Sequence, residues 1–345
     1  MKARYILCGI LMLGLFSMAI SDAQAGDKKR RGTAGANYLL VPTTARMTSL
    51  GNGLTSGLST LNGIEALSLN PAGLALNTGT SALFSRVNYV ADIGINHFGV
   101  AQRFGNNNLA LTVTSWDFGE IPLQTENDPE ISSLTWTAST VVVGVTYARE
   151  FTDRISAGVT TKLMSERIDD VSASGIAFDA GMTYVAGESG FRFGVSLKNF
   201  GPSMRYAGVG LTRQAKLPEQ PPHANQQAVS IEAAQYELPS MLNFGISYTR
   251  EFGAGAIVTL VGNFRSNSFS QDQYSGAIEL GYQNLFYVRG GYQWEPDMDL
   301  TFFTGPSFGA GLNLELVGAQ LSVDYAYRAT DFFKAVNMVT ASITL

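Results

Sequence analysis

The chain is nearly without the residues that most chemistry requires. It has a single cysteine, Cys8, and two histidines, His97 and His223, among 345 residues. One thiol excludes a disulfide framework, and two histidines far apart, with no ligand spacing between them, exclude the usual metal sites. The one G-x-S-x-G run, Gly305-Pro306-Ser307-Phe308-Gly309, leads into a period-two strand pattern and not into the strand-to-helix turn that exposes a serine nucleophile, so no catalytic residue, metal or cofactor is expected. Charged residues make up only 15% of the chain and, apart from four residues at 28–31, no basic block interrupts its acidic balance, which argues against a nucleic-acid partner. The scattered carboxylates carry no catalytic spacing, and an enzyme is not expected.

Beyond the first residues there is also no apolar run long enough for a transmembrane helix. The start of the chain is different. Lys2 and Arg4 precede an apolar stretch from Tyr5 to Ile20, and Ala23-Gln24-Ala25 leads into polar Gly26-Asp27. This order is that of a secretory signal peptide cleaved after Ala25. Cys8 lies too early in the apolar stretch for a lipoprotein signal, and cleavage removes it. With Lys2, Arg4 and Asp22 gone, the formal charge moves from −5 to −6.

What the chain does have is 45% hydrophobic residues, 37 glycines, 20 phenylalanines and 14 tyrosines, distributed with a period of two. Phe191, Phe193, Val195 and Leu197 alternate with Arg192, Gly194, Ser196 and Lys198. Leu242, Phe244, Ile246 and Tyr248 alternate with Asn243, Gly245, Ser247 and Thr249, and the scheme repeats around Asp179, Glu315 and Asp324. Successive strand residues face opposite sides, so each segment has one oily and one polar face.

Fourteen such segments can be marked from about Ser81 onward. Their connections alternate tight and long. Gly105-Asn106-Asn107, Thr152-Asp153, Gly187 to Gly190, Gly253-Ala254, Gln283-Asn284 and Gly318 are tight. Phe118 to Trp136, Arg167 to Ala173, Gly201 to Pro239, Ser268 to Gln273, Trp294 to Pro306 and Ala329 to Phe333 are long. A soluble sandwich has no reason to shorten every second connection, whereas outer-membrane barrels have short periplasmic turns and long external loops. The expected fold is therefore all-β, a transmembrane antiparallel β-barrel of about fourteen strands in the cell outer membrane.

Lys162, Asp179, Arg192, Lys198, Glu279, Arg289, Glu315 and Asp324 share the parity of glycine and serine and are expected to face the lumen. Asn243, of the same parity, is expected to tolerate a charge that Phe244 would not. Tyr89, Phe104, Trp116, Phe151, Phe252, Tyr282, Trp294 and Phe332-Phe333 fall near strand ends, as interfacial girdles do. His97 falls within a strand pattern and His223 in the longest loop, both as structural or exposed side chains.

Residues 26–79 lack sustained alternation. A basic start, Lys28-Lys29-Arg30-Arg31, reads as a solvated terminus, and Asn70 before Pro71 reads as the cap of a short helical turn ending near Leu76. The division expected is residues 1–25 as signal, 26–79 as a separate segment and 80–345 as barrel.

The run Ala45-Arg46-Met47-Thr48-Ser49-Leu50-Gly51-Asn52-Gly53, with Gly63 to Leu74 containing Asn70-Pro71-Ala72-Gly73, resembles the amino-terminal signature of the PorV/PorQ family. These outer-membrane barrels are related to the FadL long-chain fatty-acid transporters. The likeness departs at Leu50-Gly51, at the lone acidic Glu65 and at the terminal Leu345. It implies a FadL-like barrel with residues 26–79 tucked into the lumen as a hatch. It also implies a platform that binds or releases exported proteins beside secretion-system components, with Phe118 to Trp136 and Gly201 to Pro239 as candidate contacts. The second reading is a FadL-like transporter of hydrophobic small molecules, which requires an apolar external pocket leading toward Asn70-Pro71-Ala72. The third is a soluble secreted all-β protein. Platform, transporter and soluble protein is the order the sequence supports, with outer-membrane lipid as surroundings in the first two.

Overall fold

The structure is a computed structural model, and it describes residues 30, 32–58, 61, 63–123, 135–216, 225–296, 305–330 and 333–345. The signal peptide, Lys28, Lys29, Arg31, His223 and Phe332 lie outside the described residues, as do the central part of Phe118 to Trp136 and much of Leu217 to Ala228.

The barrel consists of β1 (Thr80–Asn88), β2 (Gly94–Phe104), β3 (Asn107–Pro122), β4 (Thr135–Thr152), β5 (Ile155–Ile168), β6 (Val171–Val185) and β7 (Phe191–Phe200). Three short strands follow in the longest connection: β8 (Ala207–Gly208), β9 (Thr212–Ala215) and β10 (Gln227–Ser230). The barrel resumes with β11 (Met241–Phe252), β12 (Ala256–Asn267), β13 (Gln273–Tyr282), β14 (Phe286–Trp294), β15 (Gly305–Leu316), β16 (Ala319–Arg328) and β17 (Val336–Thr344).

Each barrel strand pairs antiparallel with its sequence neighbour, and β7 pairs with β11. β1 closes the ring on β17, with Ser81 opposite Thr344 and Asn88 opposite Asn337. Closure satisfies the backbone groups that hydrocarbon cannot. The fourteen-strand barrel expected from sequence is what folds, with tight and long connections alternating except between β5 and β6.

Alternation is realised as drawn. On β7 Phe191, Phe193, Val195 and Leu197 are exposed on the outside, while Gly194, Ser196 and Lys198 are buried inside. A strand needs roughly 9 to 11 residues to cross the hydrocarbon layer. β3 with 16 residues and β4 with 18 exceed that, as do β5 and β6, so this side of the wall is taller than such a crossing needs. That explains two differences from the sequence reading. The long connections Phe118 to Trp136 and Arg167 to Ala173 are in part strand, and only Asp169-Asp170 remains between β5 and β6.

The girdle also needs correction. Phe104, Phe151, Phe252, Tyr282, Trp294 and Phe333 are exposed at strand ends, but Trp116 is only 6% exposed and Tyr89 packs beside it against an internal cluster. Position parity sends Trp116 inward, where it lines a cavity.

The described residues between 34 and 77 lie inside the ring. The segment starts at the external mouth, where Gly35 N–H donates to the Glu237 carbonyl at 3.1 Å, and descends to the tight-turn end, where Arg103 donates to the Asn77 carbonyl at 3.2 Å. It carries the short helices Ala45–Ser49 and Gly63–Ala66 and the 3-10 turn Pro71–Leu76. Its leucines, among them Leu50, Leu54, Leu58, Leu69 and Leu74, are buried against the wall and one another. The lumen is thus a packed core and not only a polar lining.

Candidate functional site

Wall glycines make room for the internal segment. A methyl group at Gly194 would sit 2.0 Å from the Thr55 carbonyl oxygen, and one at Gly181 would sit 2.0 Å from Asn70 Oδ1. Gly158, Gly245, Gly291 and Gly309 meet the backbone or side chains of the segment as closely. These positions share the polar parity of their strands, and their use is close backbone approach.

Asn70 anchors the segment. Its Oδ1 accepts from Ala72 N–H at 3.0 Å, capping a turn whose first residue is Pro71. Its Nδ2 reaches the carbonyls of Thr55 at 2.8 Å, Met182 at 3.2 Å and Val195 at 3.4 Å. Ala72 is fully buried, and Gly73 packs against Ala66, where a Cβ would come within 2.4 Å of the alanine methyl.

A charged cluster locks the middle of the segment to the wall. Arg46 Nη1 lies 3.4 Å from Glu65 Oε2, and Arg46 Nε lies 3.8 Å from Asp324 Oδ1. Arg289 pairs with Glu279 at 2.6 Å and with Asp324. Both guanidinium groups also lie over the Tyr287 ring, at 5.6 Å for Arg46 and 5.3 Å for Arg289. All five charged residues are at most 3% exposed. Burial raises the Glu65 carboxyl to about 7, with Arg46 opposing and Asp324 adding to the shift.

The other lumenal residues divide. Lys162 Nζ binds Asp179 at 2.6 Å and Asn199 Oδ1 at 2.8 Å, and Lys198 donates to the Ser68 carbonyl. Arg192 is half-buried, and Glu315, with the inward parity, is exposed at the tight-turn end. His97 is buried and lumenal, its Nδ1 2.8 Å from Thr114 Oγ1.

At the external end, an apolar cavity of about 570 Å³ is lined by Leu40, Val41, Tyr89, Ile93, Trp116 and Phe118, with Tyr38 and Glu166. Below it a smaller cavity of about 100 Å³ shares Tyr38, Leu40, Val41 and Trp116 and extends to Leu67, Ser68 and Leu69, immediately before Asn70.

Glu166 is 7% exposed on β5, where its carboxylate accepts from Tyr38 at 2.9 Å, from Tyr236 at 3.1 Å and from Tyr206. Burial first, then the neighbouring carboxylate, holds the Tyr38 and Tyr236 phenols far above their ordinary value; Tyr206 is raised by burial and its bond to Glu166. All three stay protonated donors.

Sequence reasoning missed Tyr38, Glu166, Tyr206 and Tyr236. Glu166 shares parity with Lys162 and could have been added on that ground. The tyrosines sit in segments without periodicity and gave no signal. The longest connection is also less exposed than its proline-rich composition implied: Met204 and Leu238 are buried, and Tyr206 and Tyr236 turn over the mouth.

No protein-family model matches the chain, and no curated protein does. Solved structures do. The Pseudomonas putida toluene transporter TodX superposes with a TM-score of 0.53 at 12% identity, covering 86% of this chain and 96% of that one. A Pseudomonas aeruginosa FadL homologue superposes with a TM-score of 0.51 at 10% identity, covering 88% and 98%. At such identities the likeness shows the fold alone: a closed antiparallel barrel of fourteen strands. The comparisons add nothing for the narrower PorV/PorQ resemblance.

Proposed function

We propose that this protein carries hydrophobic small molecules across the outer membrane. The observation that carries the reading is the pair of adjoining cavities. An apolar chamber at the external mouth shares Tyr38, Leu40, Val41 and Trp116 with a second chamber that ends beside the Asn70 anchor. Concave apolar pockets with few converging polar groups are the usual form of a small-molecule site. The barrels it superposes on include a toluene transporter, which supports the same reading.

The platform for exported proteins, first in order from sequence, now stands second, because the long external connection contributes side chains to the mouth of the cavity. No enzymatic role is proposed.

The test uses purified protein in lipid nanodiscs and a fluorescent apolar solute such as naphthalene. Saturable binding is expected, and Ala138→Trp, which puts an indole into the chamber from its wall, should weaken it sharply. Deleting Leu217 to Ala228 should leave binding and heat-modifiable migration on gels intact. If the full-length protein binds no apolar solute but retains secreted proteins from solubilised membranes, the platform reading replaces this one.

A further inference from the structure

We infer that Glu166 makes the external chamber a site for uncharged hydrophobic solutes and turns away amphiphiles that carry a carboxylate. The inference rests on the transporter reading and specifies its solute class.

Three phenol O–H groups from separate segments aim at the two oxygens of one side chain: Tyr38 from the internal segment, Tyr206 and Tyr236 from the long external connection. Three donors on two oxygens is the bonding inventory of an ionised carboxylate, which only accepts. The donors are neutral, so they stabilise the charge without cancelling it. Arg167 also lines the chamber, but its side chain is exposed to solvent and its Nε donates to the Asp169 carbonyl at 3.1 Å, so its charge is screened by water while that of buried Glu166 is not. The chamber therefore presents a negative charge in an apolar, low-dielectric wall, where like charges repel far more strongly than in water.

Cations do line the lower cavity, and an anion might be thought to seek them; the geometry works against it. Lys162 is already paired with Asp179, Lys198 is bound to the Ser68 carbonyl, and Arg265 donates to Asn243, Gln273 and the Asn52 carbonyl. These groups hold the internal segment and the wall together. An anion reaching them from outside must first pass Glu166, into a space of only about 100 Å³. An uncharged solute meets Val41, Ile93, Trp116 and Phe118 with no such penalty.

The experiment compares decanol with decanoate, a matched pair differing in charge, on nanodisc-embedded protein in mildly alkaline buffer, with Ala138→Trp as the obstructed-chamber background. Decanol should bind at least about tenfold more tightly than decanoate. Glu166→Gln, which keeps the shape and an acceptor oxygen, should bring that ratio down by about tenfold. Tyr38→Phe loosens the same cluster but keeps the charge, so it should preserve the ratio. Equal affinities in the unmodified protein, or a ratio unmoved by Glu166→Gln, overturns the inference while leaving the transporter reading in place. If neither compound binds above the Ala138→Trp background, the transporter reading fails and takes the inference with it.

Discussion

Replacing Arg46 by methionine should unseat the internal segment while leaving the barrel closed. The guanidinium is 2% exposed, held between Glu65 at 3.4 Å and Asp324 at 3.8 Å, and no strand pairing depends on it. Methionine retains most of the apolar volume but, at about pH 8 where Glu65 is ionised, leaves that carboxylate without its cation in a space where water cannot compensate. Breaking one partner out of a buried ion pair costs about 3 to 5 kcal/mol. At about 1.4 kcal/mol per tenfold, that is roughly two to four orders of magnitude in the equilibrium between seated and released segment. Because Cys8 is the sole cysteine and precedes the expected cleavage site, Ser56→Cys would give the mature protein a single thiol, at a position 1% exposed on the segment. Its reaction with a membrane-impermeant maleimide reports release. Arg46→Met should accelerate labelling by at least about a hundredfold. Adding Glu65→Gln should recover part of the loss, since it removes the stranded charge. Unchanged labelling in Arg46→Met would refute the claim that these charges hold the segment.

Other consequences can be measured with the same reporter or by unfolding. Gly194→Ala and Gly181→Ala put a methyl group 2.0 Å from the segment and should each destabilise its seating by about 1 to 3 kcal/mol, whereas Gly276→Ala, with nothing within 4 Å, should be silent in the labelling assay. Phe244→Arg on the outer face should cost about 2 to 4 kcal/mol in a lipid unfolding titration if it lies near the midplane. Asn243→Arg, expected from sequence to be mild, should instead be comparably harmful: Asn243 is fully buried and accepts from Arg265 Nε at 2.9 Å, so an arginine adds both volume and a like charge. An Arg265→Met background should relieve Asn243→Arg and leave Phe244→Arg unrelieved. Glu65 is raised from 4.5 to about 7 by burial, so the seated state holds a proton that the released state gives up in that window. Seating should weaken as pH rises from about 4.5 to about 7, and labelling, normalised to the denatured thiol, should quicken; a Glu65→Gln chain that keeps the same dependence would rule out this group as its source.

The barrel was legible because its signal is repeated. Each strand states its inside and outside at every second residue, and six tight connections fix the direction of the rest. Lumenal parity followed from the same pattern, which is why Lys162, Asp179, Lys198, Glu279, Arg289 and Asp324 were found together. What parity cannot express is the identity of the neighbour across the lumen. Arg46 and Glu65 stood within the quoted motif, yet the pairing of Arg46 with Asp324 spans more than 250 positions of sequence. Trp116 shows the converse limit, since an aromatic residue near a strand end has the same sequence signature whether it faces lipid or a cavity. Glycines opposite the segment were counted as part of a polar face, although what matters there is their lack of a side chain.

The order of the functional readings turns on where the long external connection directs its larger side chains. A protein-docking platform draws most of its binding energy from a central cluster of aromatic and aliphatic groups presented outward. In the connection between β7 and β11, Met204 and Leu238 are buried and Tyr206 and Tyr236 bend to Glu166, so the cluster that could have served a partner is spent on the cavity. Among the described residues of this connection, Val209 and Ile231 are the exposed large aliphatics, and a few apolar residues are ordinary on a protein surface. Tyr206 lines the chamber beside Tyr38 and Val41 of the internal segment, and Met204, Leu238 and Tyr236 pack into the same cluster behind it. A connection that spends its apolar groups on a cavity is organised around a solute, and this favours transport over display.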